Sequence, residues 1–193
     1  MKLTDLSAIS PIDGRYSRLV TDLQEIFSEY GLIKYRIFVE IEWFIHLSNQ
    51  PKIKELPKLT KVSTNYLRAI HNEFSLNEAK KVKTIEKKTN HDVKAVEYYL
   101  KNKFSESKQL SKLSEFLHFC CTSEDINNIS YALMVRDASE LLISSHTKKL
   151  NSLLKRKAHL YAGIPMLSRT HGQAATPTTM GKELANFSSR IDR

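Results

Sequence analysis

The stretch SEDINNISYALMVRDASELLISSHTKKLNSLLKRKAHLYA, residues 123–162, contains neither glycine nor proline. A run this long far exceeds the average globular helix of about 11 to 12 residues, so it predicts a long helix of a helical bundle. Thr122 or Ser123 can cap this helix, because side-chain oxygens accept hydrogen bonds from the first free amides. Residues 131–135 are apolar around the whole circumference, which is typical of a helix surrounded by other helices.

The rest of the chain also favours helices, since glycine and proline each occur only five times. Within residues 32–47, the apolar residues at 37, 39, 41, 43 and 45 alternate with other residues as they would in a strand. The length of the apolar run and the lack of a turn signal nevertheless favour a helix. We expect Gly31 to end or bend the helix before it, and Thr176 with Pro177 to begin the last helix. The remaining helices are predicted over residues 17–30, 62–73, 76–88, 92–104 and 109–120.

The sequence therefore predicts an all-α fold in two parts. Residues 1–110 form an N-terminal helical domain, and residues 111–193 form the beginning of a long-helix bundle domain. The chain has 193 residues, 41% of them hydrophobic and 26% charged, which is typical of a globular core and excludes disordered and collagen-like classes. Because the chain stops inside the last predicted helix, we expect it to be a piece of something longer.

The sequence shows no membrane-spanning stretch and no signal peptide, so we expect a cytoplasmic protein. No stretch of about 18 uncharged apolar residues occurs, and the beginning MKLTDLSAIS lacks the apolar region of a signal peptide. Cys120 and Cys121 are adjacent, so their spacing fits neither a disulfide framework nor a metal site. We expect both to be small buried apolar side chains.

The net charge of +9 comes from 30 Lys and Arg against 21 Asp and Glu. Such a charge suits nucleic acid, anionic substrates or a soluble surface, so it does not choose a partner by itself. A basic helical module that binds nucleic acid remains an alternative, although the chain lacks the aromatic-rich motifs of RNA-recognition domains.

Four short segments carry more polar groups than the fold needs, and all lie at predicted loops or helix starts. Each has a structural explanation, because Asp-Gly forms turns, Asn, Asp, Thr and Ser cap helices, and a lone loop histidine usually lies at the surface. Together they offer two imidazoles, hydroxyls at a helix start and an arginine, which suits an anionic substrate that needs proton transfer. The segments are residues 10–16, 88–92, 121–128 and 168–173.

These segments resemble the adenylosuccinate lyase family in order and spacing, and the resemblance covers the whole chain. The motifs are SPIDGRY, KTIEKKTNHDVKAVEYYL, SEFLHFCCTSEDINN and LSRTHGQAATPTTMGKELAN. They are similar to the bacterial branch of this family, which lies within the wider fumarase, aspartase and argininosuccinate lyase superfamily. TSEDIN separates the chain from argininosuccinate lyase and fumarase. The alternative within the same class is another fumarate-releasing lyase of the superfamily.

The resemblance implies a β-elimination that releases fumarate, with His171 as the general acid. His91 resembles a second active-site histidine that contacts the substrate phosphate. Arg15 with Tyr16 would hold that phosphate, and Thr122 with Ser123 would bind the succinyl carboxylate. The substrate-binding residues implied are Arg15, Tyr16, Asn90, His91, Asp92, Thr122, Ser123, Thr170 and Gln173.

The resemblance also implies small nucleotide substrates, no metal or organic cofactor, and no nucleic-acid or membrane partner. It implies a homotetramer in which each active site is built from segments of three subunits. Ala174 stands where the family usually has proline, which costs little because no reacting group is lost. The family's loop SSxMPxKxNP, with its proton-accepting serine, lies beyond Arg193, so we expect the chemistry to be incomplete within this chain.

Overall fold

The computed structural model describes residues 10–193, which form two compact units. The first unit ends at Arg136 and the second spans Asp137–Arg193. The predicted all-α class is confirmed, with one small two-stranded sheet added to it. The predicted domain boundary at residue 110 stays a prediction.

Eight α-helices occur within the described residues. They are α1 (Thr21–Phe27), α2 (Glu29–Ser48), α3 (Lys61–Asn72), α4 (Leu76–Thr89), α5 (Asp92–Phe104), α6 (Ser123–Ala138), α7 (Ser144–Leu160) and α8 (Met180–Ile191). The strands are β1 (Pro165–Thr170) and β2 (Gln173–Thr179). Shorter turns of 3-10 helix cover Ser17–Leu19 and Leu110–Phe116.

The long helix predicted from residue 123 is confirmed as an unbroken helical run from Ser123 to Leu160. One widened π-helical turn, Ser139–Ile143, lies between α6 and α7. Such single π-turns occur inside α-helices without ending them. Within residues 10–193, no helix is both long and apolar enough to cross a bilayer.

The break before α2 differs from the prediction, because it falls at Ser28 and not at Gly31. Ser28 has an extended backbone, and its hydroxyl accepts the Gly31 amide at 3.1 Å, which caps α2. Gly31 lies inside the first turn of α2, where an added Cβ would come within 2.4 Å of the Ile26 carbonyl oxygen. Glycine is therefore needed here for a close approach of two backbones rather than for a helix end.

One other predicted helix was wrong, and so was the predicted start of the last helix. Residues 109–120 contain a 3-10 turn in place of an α-helix. Thr176 and Pro177 lie in strand β2, and α8 begins only after Thr179, whose hydroxyl accepts the Lys182 amide at 3.1 Å. Pairing with β1 keeps this segment extended, and that pairing overrides the helix-start signal of Thr-Pro.

The core of the first unit is built around α2, and the helix predicted over residues 32–47 is confirmed. Phe44 is fully buried, and its ring meets that of Phe104 edge to face with centroids 5.0 Å apart. Because α2 is buried on most sides, its sequence is apolar nearly all round. Two charged residues, Arg36 and Glu40, are nevertheless buried in it.

The second unit packs α7 against α8 beside the β1–β2 hairpin. A Cβ at Gly181 would lie 2.3 Å from the Ala158 carbonyl oxygen, so the two helices approach backbone to backbone. The buried Ser188 hydroxyl donates to the Asn151 amide oxygen at 2.6 Å. The strands are antiparallel, and the pairing of Thr170 with Gln173 leaves a two-residue turn between them.

Candidate functional site

The turn between α4 and α5 presents three of the predicted site residues. Asn90 ends α4 in the left-handed conformation (φ 50°), which asparagine tolerates better than most residues. His91 is extended, and its Nδ1 accepts the Lys94 amide at 3.2 Å, so His91 itself caps α5. Because Nδ1 accepts, the proton of the neutral ring lies on Nε2. The half-exposed ring is thereby left with one donor for a ligand.

Asp92 is held as a carboxylate at the first position of α5. One oxygen accepts the Val93 amide at 2.9 Å, and the other accepts from Arg36 Nη2 at 2.7 Å. Burial raises the pKa of Asp92, but the Val93 amide and the Arg36 guanidinium outweigh it, so the pKa lies below its ordinary value. Asp92 therefore stays charged near neutral pH.

Arg36 connects this turn to the beginning of α6. Its Nε donates to the Asn127 amide oxygen at 2.9 Å, and Asn127 in turn donates to Glu124 at 3.0 Å. Arg36 was not among the site residues predicted from the sequence. The available signal was a pair of charged residues four positions apart, Arg36 and Glu40, flanked by apolar residues at positions 37, 39 and 41.

The beginning of α6 carries Thr122 and Ser123. The Thr122 amide donates to an Asp125 carboxylate oxygen at 2.7 Å, and its hydroxyl faces the same oxygen at 3.2 Å. This arrangement resembles a capping box, and it occupies the Thr122 hydroxyl. The half-buried Ser123 side chain makes no hydrogen bond to any other described residue. The Asp125 amide donates to the Thr122 carbonyl at 3.2 Å. Among the described residues, the free donors here are therefore the Ser123 hydroxyl and the amides of Ser123 and Glu124.

An open cleft of about 690 Å³ lies beside His91, and we call it the His91 cleft. Lys83 on its wall is neutralised by Glu29 at 2.8 Å and Glu86 at 2.7 Å. Lys87 has no ion pair with any described residue, so its charge is available to an anion. The cleft is lined by Glu29, Lys83, Glu86, Lys87, Asn90, His91 and Asp92.

Arg15 and Tyr16 lie in a series of turns ahead of α1, and both are exposed. The Arg15 guanidinium stacks 5.1 Å from the centre of the Tyr16 ring. Arg15 makes no ion pair within the described part of the chain, and neither residue lines the His91 cleft. The pair is thus exposed and unneutralised, but the structure does not bring it against His91.

His171 and Gly172 form the two-residue turn of the hairpin in the second unit. Both have positive φ, 50° and 76°, as a type I′ turn requires. His171 is exposed, and its ring makes no hydrogen bond to any residue of the described range. Thr170 and Gln173 pair on either side of the turn. These three predicted residues lie in the second unit, and the others lie in the first.

Two further contacts from α2 hold the segment ahead of Thr122. His118 Nδ1 lies 2.6 Å from a carboxylate oxygen of Glu40, which is 0% exposed. Trp43 Nε1 donates to the Phe119 carbonyl at 2.8 Å. The hydrogen bond to Glu40 raises the pKa of His118 above its ordinary value, although partial burial opposes it. His118 is therefore an anchor that depends on its protonation.

The cysteines in this segment differ from the prediction. Cys120 is exposed and Cys121 is only half-buried. Cys120 and His118 both have positive φ, 58° and 60°, so this segment is not helical at either residue. Burial raises the pKa of the Cys121 thiol to about 11, so this thiol stays protonated near neutral pH.

We expect the stability of the protein to fall between pH 6 and pH 8 because of His118. A raised folded-state pKa means that its contribution is complete below the ordinary histidine pKa of about 6.5 and is lost as pH rises through the higher folded value. Glu97 supports the charged ring and Lys94 opposes it. Thermal melting at both pH values measures the effect.

The matched variant for this measurement is His118→Asn, because asparagine tolerates the left-handed backbone at this position. The wild type should lose more thermal stability than this variant over the same pH interval. Equal losses in the two proteins would remove His118 as the titrating group.

The chain matches the family described as lyase over residues 14–193. It is 51% identical over 193 residues to the adenylosuccinate lyase of Escherichia coli (strain K12), covering 100% of this chain and 42% of that protein. It is 50% identical over the same length to the adenylosuccinate lyase of Legionella pneumophila (strain Corby), again with 42% of that protein covered. The chain thus spans well under half the length of these relatives.

Two solved structures share the fold. A fumarate lyase from Mesorhizobium sp. BNC1 superposes with a TM-score of 0.65 and 21% identity, covering 90% of this chain and 38% of that chain. The β-carboxy-cis,cis-muconate cycloisomerase from Acinetobacter calcoaceticus sp. ADP1 gives 0.65 and 19% with the same coverage. Sequence identities this low show that the fold is shared and say nothing about function.

Proposed function

Because this chain belongs to the lyase family, which it matches over residues 14–193, we propose that the full-length protein is an adenylosuccinate lyase of purine biosynthesis. It eliminates fumarate from adenylosuccinate to give AMP, and from SAICAR to give AICAR. The observation that carries the proposal is 51% identity over the whole chain to an enzyme of that name. The four polar segments of the sequence support the same assignment.

The reaction sets three chemical demands. A base removes a proton from the carbon beside a carboxylate, and negative charge builds on that carboxylate. The electron pair then forms the double bond of fumarate while the C–N bond breaks. The departing nitrogen keeps the electron pair of that bond and takes a proton. The site must therefore supply a base, donors for the carboxylate and an acid.

We assign the acid to His171. Imidazole suits proton transfer because its ordinary pKa lies near working pH. The exposed ring stands at the tip of a tight hairpin turn, and no partner within residues 10–193 occupies either nitrogen. Thr170 and Gln173 flank it across the hairpin, which supports their assignment as substrate contacts. The base is assigned to the family's serine loop, outside this chain.

Carboxylate binding is assigned to the beginning of α6. The Ser123 hydroxyl and the free amides of the first turn donate to negative charge, and the helix dipole favours it there. Thr122 holds the turn through Asp125, and its hydroxyl reaches a ligand only by leaving that carboxylate. We therefore expect Ser123 to make the stronger contact of the two.

Phosphate binding is assigned to Arg15 with Tyr16 and to the turn at Asn90–Asp92. Arg15 offers a planar guanidinium that no described carboxylate neutralises, and such a fork matches phosphate geometry. His91 offers Nε2–H to the same kind of ligand, and its cap on α5 fixes the direction of the ring.

We also propose that the protein acts as a cytoplasmic homotetramer with active sites shared between subunits. Support comes from apolar side chains that stay exposed along the helical run from Ser123 to Leu160, as expected for helices that pack in a bundle. These are Ile129, Tyr131, Val135, Leu141, Ile143, Leu150, Leu153 and Leu160.

The proposal is tested with the purified full-length protein and adenylosuccinate, SAICAR, argininosuccinate, aspartate and malate. We expect fumarate, measured by chromatography, from the first two substrates only. Fumarate from one of the others alone would favour a different lyase of the superfamily. No fumarate from any substrate, with salt-dependent RNA binding tighter than that of a charge-matched control, would favour the nucleic-acid-binding alternative.

A further inference from the structure

Arg36 is a buried arginine that contacts Asp92 and Asn127, and the proposed chemistry gives it no role. Arg36 is 3% exposed in the middle of α2, four residues before the fully buried Glu40. Removing a guanidinium from water is costly unless its donors are all paired in good geometry. An apolar residue of similar volume would fill this position at less cost. The charge therefore calls for an explanation other than stability.

The guanidinium reaches two different helix starts at once. Nη2 donates to Asp92 at 2.7 Å, at the first position of α5, and Nε donates to Asn127 at 2.9 Å, in the second turn of α6. Because the guanidinium is planar and rigid, the two contacts fix the separation of the two helix starts. Asp92 directly follows His91, and Asn127 lies one turn beyond Ser123.

The two hydrogen bonds of Arg36 form a polar bridge between α2, α5 and α6. An apolar cluster lies beside this bridge and joins the same three helices. Val39, Val93 and Ile126 are buried together, one from each of the three helices that the bridge joins. Val93 adjoins Asp92, and Ile126 adjoins Asn127. The apolar cluster packs the three helices together, and the guanidinium fixes the position of the α5 start relative to the α6 start.

We propose that Arg36 is a positioning residue that holds the phosphate-binding turn at Asn90–Asp92 in register with the carboxylate-binding start of α6. This inference rests on the proposed function and adds to it a residue that touches no substrate. Substrate that is held at both ends needs the two anchors at a fixed separation, and a misplacement near 1 Å can cost about 100-fold in rate. Lysine offers a single point of charge and cannot satisfy both partners in the same geometry.

The test compares Arg36→Lys with the matched control Arg68→Lys in the full-length protein. Arg68 also pairs with α2, through two bonds to Glu42 at 2.8 and 3.0 Å, but it joins α2 to α3. We expect Arg36→Lys to lower kcat about 10- to 100-fold with a smaller change in KM, and Arg68→Lys to leave both near wild type.

Hydrogen exchange measured on the same proteins reports the positioning directly. Peptides that cover residues 90–94 and 122–128 should exchange faster in Arg36→Lys and at the wild-type rate in Arg68→Lys. Asn127→Ala removes one arm of the bridge and should raise exchange at 122–128 more than at 90–94. This variant keeps the test decisive if Arg36→Lys does not fold.

The outcomes separate the two proposals. A wild type that releases no fumarate from either purine-pathway substrate refutes the proposed function, and the exchange data then decide the role of Arg36 alone. Unchanged exchange in both peptides of Arg36→Lys and Asn127→Ala overturns the positioning role, whatever happens to kcat. If Arg36→Lys exchanges faster but keeps the kcat of an active wild type, the positioning role is overturned as well.

Discussion

His171→Ala in the full-length protein is expected to lower kcat by roughly 10² to 10⁴, the usual worth of a positioned acid or base. The leaving nitrogen would then depart without a proton donor. Folding should survive, because His171 is exposed on a hairpin turn and contributes nothing to the buried core. Steady-state kinetics with adenylosuccinate measures the loss, and circular dichroism checks the fold.

The left-handed backbone at His171 calls for a second variant. Alanine is strained at φ 50°, so part of any loss could come from a shifted hairpin. His171→Asn removes the imidazole but keeps a residue that tolerates this conformation. Both variants should lose kcat alike, and His146→Ala, which changes an exposed histidine on α7, should not. Wild-type kcat in His171→Asn would refute the acid role.

Phe44→Ala should lower the free energy of unfolding by about 3 to 5 kcal/mol, the range for removing a buried phenylalanine. The side chain is 0% exposed, and it packs against Phe104 from α5, so its loss leaves a cavity at the centre of the first unit. Urea unfolding monitored by circular dichroism measures the change.

The control for that experiment is Phe27→Ala, which removes the same side chain where it is 50% exposed. We expect it to cost less than half as much, because fewer apolar contacts are lost. Similar costs at both positions would mean that Phe44 does not occupy the centre of the core.

Local sequence patterns predicted the helices well because their signals are local. Apolar spacing placed α3, α4 and α5 within two residues of their observed ends. The hairpin was missed because its two strands are mostly exposed and so lack a clear alternation of apolar and polar residues, and because Thr-Pro resembles a helix start. Thr176, Thr178 and Thr179 favour strands, and that β-branched pattern was the available signal.

The site residues, too, were predicted where their signal is local and missed where it is not. Residues in loops and caps could be chosen from their chemistry, and His91, Asp92 and Ser123 do lie at helix starts. Arg36 could not be assigned, since its partners lie 56 and 91 positions away. Only the folded arrangement of three helices reveals what a buried charge in α2 contacts.

The contacts of α2 with the segment ahead of α6 also have a consequence for synthesis on the ribosome. Arg36, Glu40 and Trp43 find partners 91, 78 and 76 positions later in the chain. At about 5 to 20 residues per second, α2 waits roughly 4 to 18 seconds for them. Arg36 meets Asp92 after only 56 positions, but the buried Glu40 has no cationic partner until His118 has been made. Until residue 118 emerges from the exit tunnel, the carboxylate of Glu40 stays unpaired and open to the chaperones that meet a nascent chain.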